Sequence, residues 1–244
     1  MRGDDPGSYS WRFGRWLPVN VRSVARDGTH YAYKTQYGEI HEVEIASGND
    51  RSLSLVVPEG AVSGVLYYAP EGIYFASAGR GVPDRLWLVD PRTGKLELIL
   101  TGKYVDAVGG YAAWLADVNN PADLPPHTAL PDQIVRRDLN GGPTVPWFYR
   151  AGHVLSVLGF DQDKHPLVAV DYEEVWQVPA ANQGRKLFSG TQFVKVMTDS
   201  HGIWFADDHG IWLYTQASGL HRVSPVVGVL GGSCGPPQPR SSRS

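Results

Sequence analysis

The sequence is poor in cysteine, in long apolar runs and in net charge. Among its 244 residues the one cysteine, Cys234, excludes an internal disulfide and a zinc site built from cysteines. No apolar run approaches the ~20 residues that a membrane helix requires, and the first residues lack the apolar core of a signal peptide. The formal net charge of −3 argues against a nucleic-acid partner, because proteins that bind nucleic acid usually present a basic stripe.

Glycine, proline and aromatic residues are abundant. The chain has 28 Gly and 18 Pro, and Phe, Trp and Tyr together make up 11% of it. Aromatic residues pack well on pleated surfaces, while Gly and Pro favour tight turns, so this composition indicates many short strands. The length and the 42% of hydrophobic residues are sufficient for one large all-β domain.

One pattern, an apolar strand followed by a turn and a glycine, occurs five times along the chain. Its copies are IHEVEIASG (40–48), LWLVDPRTG (86–94), IVRRDLNGG (134–142), VWQVPAANQG (175–184) and IWLYTQASG (211–219). A short strand of the form Val/Phe-x-x-Val precedes each copy, starting with VRSV at 21–24. A further strand lies between these two signatures and another follows the glycine, which predicts five units of four short strands.

The stretch HGIWFADDHGIW (201–212) repeats four letters and places two histidines eight positions apart. The pattern predicts a hairpin in which GIWFAD and IWLYT are strands and Gly210 lies in the turn. Eight residues of extended chain at ~3.3 Å each would separate His201 and His209 by roughly 20 Å or more. The two histidines are therefore not predicted to share a metal.

Four antiparallel strands in every forty residues or so are typical of the blades of a β-propeller. We therefore predict an all-β fold, a β-propeller of five four-stranded blades. The segments WRFGRWLPV (11–19) and VVGV (226–229) leave an incomplete sixth blade as an alternative, in which the chain is a fragment or its true start lies upstream. The predicted organisation is a disordered N-terminus at 1–10, one propeller domain at 11–230 and a disordered Gly/Pro/Ser tail at 231–244.

Three tryptophans, Trp87, Trp176 and Trp212, occupy the same position of the repeat. An aromatic residue that recurs at one blade position is typical of packing between neighbouring blades. These side chains are therefore predicted to lie in the core, and not to form a platform for a carbohydrate.

The segments ARDGTHYAY, LWLVDPRTGKLEL and GIWFADDHGIWLY resemble repeats of the TolB-type and WD-repeat-like bacterial β-propellers. The resemblance covers about residues 20–225 and implies a propeller fold and an extracytoplasmic location. The Trp-Asp dipeptide of WD repeats is absent, as is the Asp box of sialidases. Because functions in these families are diverse, the resemblance implies no particular activity.

The connections between the second and third strands of the blades are predicted to emerge on one face, where ligand sites are common. One of them, DVNNPADLPPHTALPDQ (117–133), is long enough to suggest a functional loop. Candidate ligand-binding residues from these connections are Glu39, Arg80, Asp84, Asp117, Asn119, Asn120, Asp123, His127, Asp171, Glu173, Asp207 and His209. This acidic set would suit Ca²⁺, Mg²⁺ or a cationic ligand. Alternatively, Asp and Asn are present because their side chains cap turns.

No motif for a catalytic nucleophile or a phosphate-binding loop is present in the sequence. The stretch DQDKH (161–165) lacks the glycine and the distal glutamate of a calcium loop, so a turn is predicted there. We therefore predict a monomeric, non-enzymatic module without a cofactor that binds a protein or peptide on its loop face. The alternatives are a sensor or lipoprotein propeller fragment, and a propeller lyase or hydrolase with a divalent cation at the mouth of the channel.

Overall fold

In this computed structural model, regular structure is almost entirely β-strand. The structure describes residues 7–53, 55, 57, 61–80, 82–102, 104–117, 130–190, 195–228 and 230–234. Over these ranges the helical structure is one 3-10 turn, Val21–Ser23, and no described helix has the length and hydropathy to cross a membrane. The chain divides into two compact units, which we call unit 1 (Met1–Gly102 with Gly231–Ser244) and unit 2 (Lys103–Leu230).

Unit 1 contains three sheets, and two of them have three strands. Its strands, numbered in chain order, are β1 (Ser8–Ser10), β2 (Arg15–Leu17), β3 (His30–Lys34), β4 (Ile40–Glu44), β5 (Asp50–Ser52), β6 (Ala61–Ala69), β7 (Gly72–Gly79), β8 (Val82–Val89), β9 (Leu96–Thr101) and β22 (Gly232–Cys234). The sheets have the orders β2-β1-β22, β3-β4-β5 and β6-β7-β8-β9. Strands β1 and β22 pair in parallel, and the other pairs are antiparallel.

Unit 2 contains three sheets of four consecutive antiparallel strands. Its strands are β10 (Val105–Gly109), β11 (Ala112–Asp117), β12 (Gln133–Asp138), β13 (Val145–Tyr149), β14 (Leu155–Phe160), β15 (Pro166–Val170), β16 (Glu174–Ala180), β17 (Gln183–Ser189), β18 (Lys195–Asp199), β19 (Gly202–Asp207), β20 (Gly210–Thr215) and β21 (Gly219–Ser224). This is the meander that the repeat predicts, and the fold is a β-propeller, as predicted.

Within each unit, neighbouring sheets bury apolar seams between them. Trp87 belongs to the core shared by the β3–β5 and β6–β9 sheets, and Trp176 packs on the core between β10–β13 and β14–β17. Trp212 packs on the next core of unit 2, where the rings of Phe188 and Phe205 stack at 5.0 Å. The prediction that the repeated tryptophans pack between blades is therefore confirmed.

The predicted first strand at 21–24 is wrong. These residues form the 3-10 turn because the Asn20 side chain accepts a hydrogen bond from the Arg22 N–H and the Asn20 carbonyl accepts one from Ser23. Only an isolated bridge from Val24 to Tyr31 remains of the predicted pairing. The first predicted blade is therefore a sheet of three strands.

The chain ends also differ from the prediction. Strands β1 and β22 lie in the two segments that were predicted to be disordered. They form strands because their backbones pair with each other. Ser8 and Ser10 are buried, and the Ser8 hydroxyl donates to the Val19 carbonyl at 2.9 Å. The single strand predicted at 11–19 is a turn followed by β2, and no strand forms at 226–228. The described residues thus form six sheets where five blades were predicted, and the sixth uses strands other than those of the alternative. The boundary of one domain at 11–230 stays a prediction.

Candidate functional site

The predicted ligand-binding residues are distributed over both units. Glu39, Arg80 and Asp84 belong to unit 1, whereas Asp117, Asp171, Glu173, Asp207 and His209 belong to unit 2. Asn119, Asn120, Asp123 and His127 lie outside the described residues. Within unit 2, Asp171 and Glu173 share one turn, and Asp207 and His209 share another.

In unit 1 the three predicted residues lie near a histidine, in a strand and in a short connection. A Glu39 carboxylate oxygen lies 3.7 Å from Nε2 of His41. Asp84 is part of strand β8, because Gly79 pairs with Val82 and leaves a much shorter connection than the predicted loop at 79–85. Arg80 is exposed in that connection.

In unit 2, Asp207 and His209 form part of one hairpin turn. Asp207 is buried, and its Oδ1 accepts hydrogen bonds from the His209 backbone N–H at 2.9 Å and from the Trp212 indole N–H at 3.1 Å. Nδ1 of His209 lies 2.6 Å from Oδ1 of Asp208. The Asp207 side chain thus caps the turn and fixes an aromatic residue of the core.

Among the residues that the structure describes, two groups of titratable side chains each bring three potential metal-ligand atoms within 4.8 Å of one another. They are Asp161, Asp163 and His165, and Asp207, Asp208 and His209. In the first group, Oδ1 of buried Asp161 accepts the His165 backbone N–H at 2.8 Å, which closes the turn predicted for DQDKH. In both groups the buried carboxylate is therefore already occupied by hydrogen bonds that hold its turn.

The turn between β15 and β16 has an uncommon backbone. Asp171 and Tyr172 have φ angles of 53° and 60°, in the left-handed region that non-glycine residues rarely adopt. Asp171 fixes the turn, because its Oδ1 accepts the Val154 N–H at 2.8 Å and its Oδ2 lies 2.6 Å from Nδ1 of His153. The hydrogen bond to His153, followed by that to Val154, lowers the pKa of Asp171. Glu173 is exposed in the same turn.

Beside this turn lies a cavity of about 310 Å³, which we call the tyrosine cavity. Its apolar lining is formed by Tyr104, Ala116, Pro131, Val154, Leu155 and Tyr172. The two tyrosines are 55% and 45% exposed, whereas Leu155 is fully buried. The cavity therefore has an apolar floor and an aromatic rim, the composition of a small binding pocket.

Polar groups at the tyrosine cavity come from the first strands of two sheets. Asp106 of β10 and Ser156 of β14 both line the cavity, and the Asp106 carboxylate accepts the Val157 N–H. The long connection predicted to be functional leaves the described chain at Asp117, next to Ala116, and returns at Leu130, next to Pro131. Both ends of that connection therefore adjoin the cavity.

Sequence reasoning missed Tyr104, Asp106 and Tyr172 as site residues. In the connection containing Tyr172, only the carboxylates of Asp171 and Glu173 were predicted as ligands. A signal was available in the sequence, since the middle of a tight hairpin turn favours Gly or Asn, and DYEE has a tyrosine there.

No family model matches the chain, and no curated protein matches it in sequence. An oligogalacturonate lyase in complex with manganese is similar in structure, with a TM-score of 0.61 and 14% identity over 83% of this chain and 63% of that chain. Pyrococcus horikoshii acylaminoacyl peptidase has a TM-score of 0.60 and 7% identity over 86% of this chain and 39% of that chain. TolB from Acinetobacter baumannii has a TM-score of 0.46 and 11% identity over 79% of this chain and 50% of that chain.

This chain thus spans less than two thirds of the lyase and of the peptidase. At such low identities, the likeness to these two enzymes shows the β-propeller fold alone.

Proposed function

We propose that this chain is a non-enzymatic binding module that takes a peptide segment of a partner protein in the tyrosine cavity. The observation that carries the proposal is Tyr172, an exposed aromatic residue held in a left-handed conformation at the rim of an apolar cavity. A left-handed backbone costs an L-residue about 1–2 kcal/mol, and such strain often marks a functional position. The apolar floor supplies the burial that offsets the ordering of a peptide side chain.

The size and charge of the surroundings define the peptide. A volume of about 310 Å³ suits one apolar side chain and not a folded surface. Asp106 lines the cavity, and Asp171 and Glu173 flank Tyr172 in its turn. These carboxylates favour a Lys or Arg next to the apolar anchor of the partner. An extended segment with an apolar residue beside a basic one therefore matches this surface.

A pair of tyrosine variants tests the proposal. Tyr111 is 85% exposed, has a φ angle of 61° and lies in another turn of unit 2 that does not line the cavity. Asn tolerates a left-handed backbone, so both Tyr172→Asn and Tyr111→Asn should preserve the turn. Only Tyr172→Asn removes a residue that lines the cavity. Peptides would first be selected on the wild-type chain from a displayed random library, and their affinities measured for both variants.

We expect the selected peptides to carry an apolar residue beside Lys or Arg and to bind Tyr172→Asn at least tenfold more weakly, as at an aromatic hot spot. Tyr111→Asn should keep the wild-type affinity. Absence of enriched peptides, or equal binding to both variants, would contradict the proposal.

A divalent-cation enzyme is the second candidate, since one structural neighbour is a lyase in complex with manganese and Asp207, Asp208 and His209 form a potential ligand group. The donor set fits a metal poorly, because Oδ1 of Asp207 already accepts two N–H groups and Asp208 is paired with His209. A thermal-shift titration with Mn²⁺, Ca²⁺ and Mg²⁺ separates the two functions. A stabilisation that Asp208→Asn abolishes would favour the enzyme, whereas the binding module predicts no shift.

A further inference from the structure

Unit 1 contains a second and larger cavity, between the β3–β5 and β6–β9 sheets. Its volume is about 580 Å³, within the range of sites for small molecules. Buried Glu42 and Tyr68 form part of its wall, and exposed Arg26 and Arg92 lie at its rim. We call it the arginine cavity. It shares no lining residue with the tyrosine cavity.

The charged side chains in the inner wall of the arginine cavity pair with each other. The Glu42 carboxylate accepts a hydrogen bond from the Tyr68 hydroxyl through one oxygen and from Arg51 through the other. Arg51 also donates to the Pro91 carbonyl at 2.7 Å. Glu42 and Arg51 therefore neutralise each other, and the charges that a ligand would meet are those of the rim.

Three carboxylates at the rim are held by hydrogen bonds. Asp27 accepts the backbone N–H and the hydroxyl of Thr29 at 3.0 and 2.7 Å, and Asp90 accepts the Arg92 N–H and the Thr93 hydroxyl at 2.8 Å each. Glu71 accepts the Tyr74 hydroxyl at 3.0 Å. The Thr29 hydroxyl lowers the pKa of Asp27, and the Arg92 N–H lowers that of Asp90. Both aspartates are therefore negatively charged at neutral pH.

The guanidinium groups of Arg26 and Arg92 complete the rim. Within the part of the chain that the structure describes, no side-chain hydrogen bond or salt bridge engages either guanidinium, although the Arg92 charge contributes to the lowered pKa of Asp90 and both residues line the cavity. The cavity opening thus carries two guanidinium groups that can donate to a ligand, and three carboxylates lie around the same opening. A dianion would be repelled by those carboxylates, and a simple cation would leave the guanidiniums without an acceptor.

We propose that the arginine cavity binds a small zwitterion, a free α-amino acid or a dipeptide. The carboxylate of the ligand pairs with the guanidiniums of Arg26 and Arg92, since the planar guanidinium fork matches a carboxylate. Its ammonium group lies against the rim carboxylates of Asp27, Glu71 and Asp90. This site is separate from the proposed peptide site, because it belongs to the other unit.

Modified amino acids test the two halves of the ligand separately. The full chain would be screened by thermal shift with the twenty common amino acids and their glycyl dipeptides, and the best binder measured by calorimetry. We expect both its N-acetyl form, which lacks the ammonium, and its amide, which lacks the carboxylate, to bind at least tenfold more weakly. Equal binding of either form, absence of any binder at millimolar concentration, or tighter binding of inorganic phosphate would overturn the proposal.

Arginine variants locate the site. Arg26→Gln and Arg92→Gln should each weaken the best binder about fivefold, a modest loss because both side chains are exposed to solvent. Arg15→Gln, at an exposed arginine of unit 1 outside the cavity, should leave binding unchanged. Equal binding by wild type, Arg26→Gln and Arg92→Gln would show that the ligand does not use this cavity and would overturn the assignment.

Discussion

Unit 1 and unit 2 hold their sheets together in different ways. In unit 2 every sheet has four consecutive strands, and aromatic rings such as those of Phe188, Phe205 and Trp212 fill the seams. In unit 1 two sheets have three strands, and the apolar core is supplemented by the Glu42–Arg51–Tyr68 cluster between β4, β5 and β6. The difference lies in what the buried carboxylates do: Glu42 of unit 1 links a three-stranded sheet to its four-stranded neighbour, whereas Asp161 and Asp207 of unit 2 hold hairpin turns.

The largest effect is expected in the aromatic seam of unit 2. Phe205 is fully buried and stacked on Phe188, so Phe205→Ala should lower the free energy of unfolding by about 4 kcal/mol. Leu220→Ala, at an exposed position of the same sheet, should cost less than about 0.5 kcal/mol. Chemical denaturation measures both. A cost below about 1.5 kcal/mol for Phe205→Ala would remove the distinction between seam and surface.

In unit 1 the Glu42–Arg51–Tyr68 cluster is expected to be the sensitive element. Glu42→Gln should destabilise the protein by about 2 kcal/mol, because Arg51 loses its carboxylate partner and Tyr68 loses a charged acceptor. Glu44→Gln changes the same residue type at an exposed position of the same strand and serves as the matched control. If the two variants unfold at the same denaturant concentration, the cluster does not stabilise unit 1.

Acid titration tests the surface pair of His153 and Asp171 in unit 2. In the folded state the hydrogen bonds from His153 and Val154 hold the pKa of Asp171 below its ordinary value. The resulting stability is fully present above pH ~4 and is lost as the pH falls through the folded pKa. Asp171→Asn should therefore be less stable than wild type at pH 6, by under about 1 kcal/mol for an exposed pair, with the difference vanishing at low pH. A difference that persists unchanged to pH 2 would exclude the charge as its cause.

The smallest effect is expected at the left-handed tyrosines. Tyr111→Asn should raise the free energy of unfolding by about 0.5 kcal/mol, because Asn adopts a φ angle near 60° at lower cost. Tyr172→Asn should gain less, since it also loses contacts at the tyrosine cavity. Thermal unfolding of the two variants in parallel provides the measurement. A larger gain at position 172 would argue against stabilising contacts of its ring.

The regular part of the fold was predictable from sequence because its signals are local. Apolar strands that end in a turn and a glycine locate β8, β16 and β20, and the spacing of the repeats predicts the meanders of unit 2. The strand predicted at 21–24 failed because the side chain and carbonyl of Asn20 hold a 3-10 turn there. An apolar pattern does not report such a competing set of hydrogen bonds.

The remainder depends on contacts that are distant in sequence. Strands β1 and β22 are short and contain serines, so neither shows the apolar alternation of a strand, and their pairing appears only in three dimensions. The tyrosine cavity likewise joins Tyr104, Pro131 and Tyr172, residues of different segments. The carboxylates predicted as ligands were recognisable in sequence, but their hydrogen bonds to local N–H groups were not.

The parallel pairing of β1 with β22 has a consequence for synthesis of the chain on the ribosome. Residues 8–10 leave the exit tunnel early, yet their partner at 232–234 is translated more than two hundred residues later. All strands of unit 2 are translated before β22. The nascent polypeptide thus carries an open strand edge at β1 until residues 232–234 have been translated and have left the exit tunnel, and during that interval the edge is exposed to pairing with other chains.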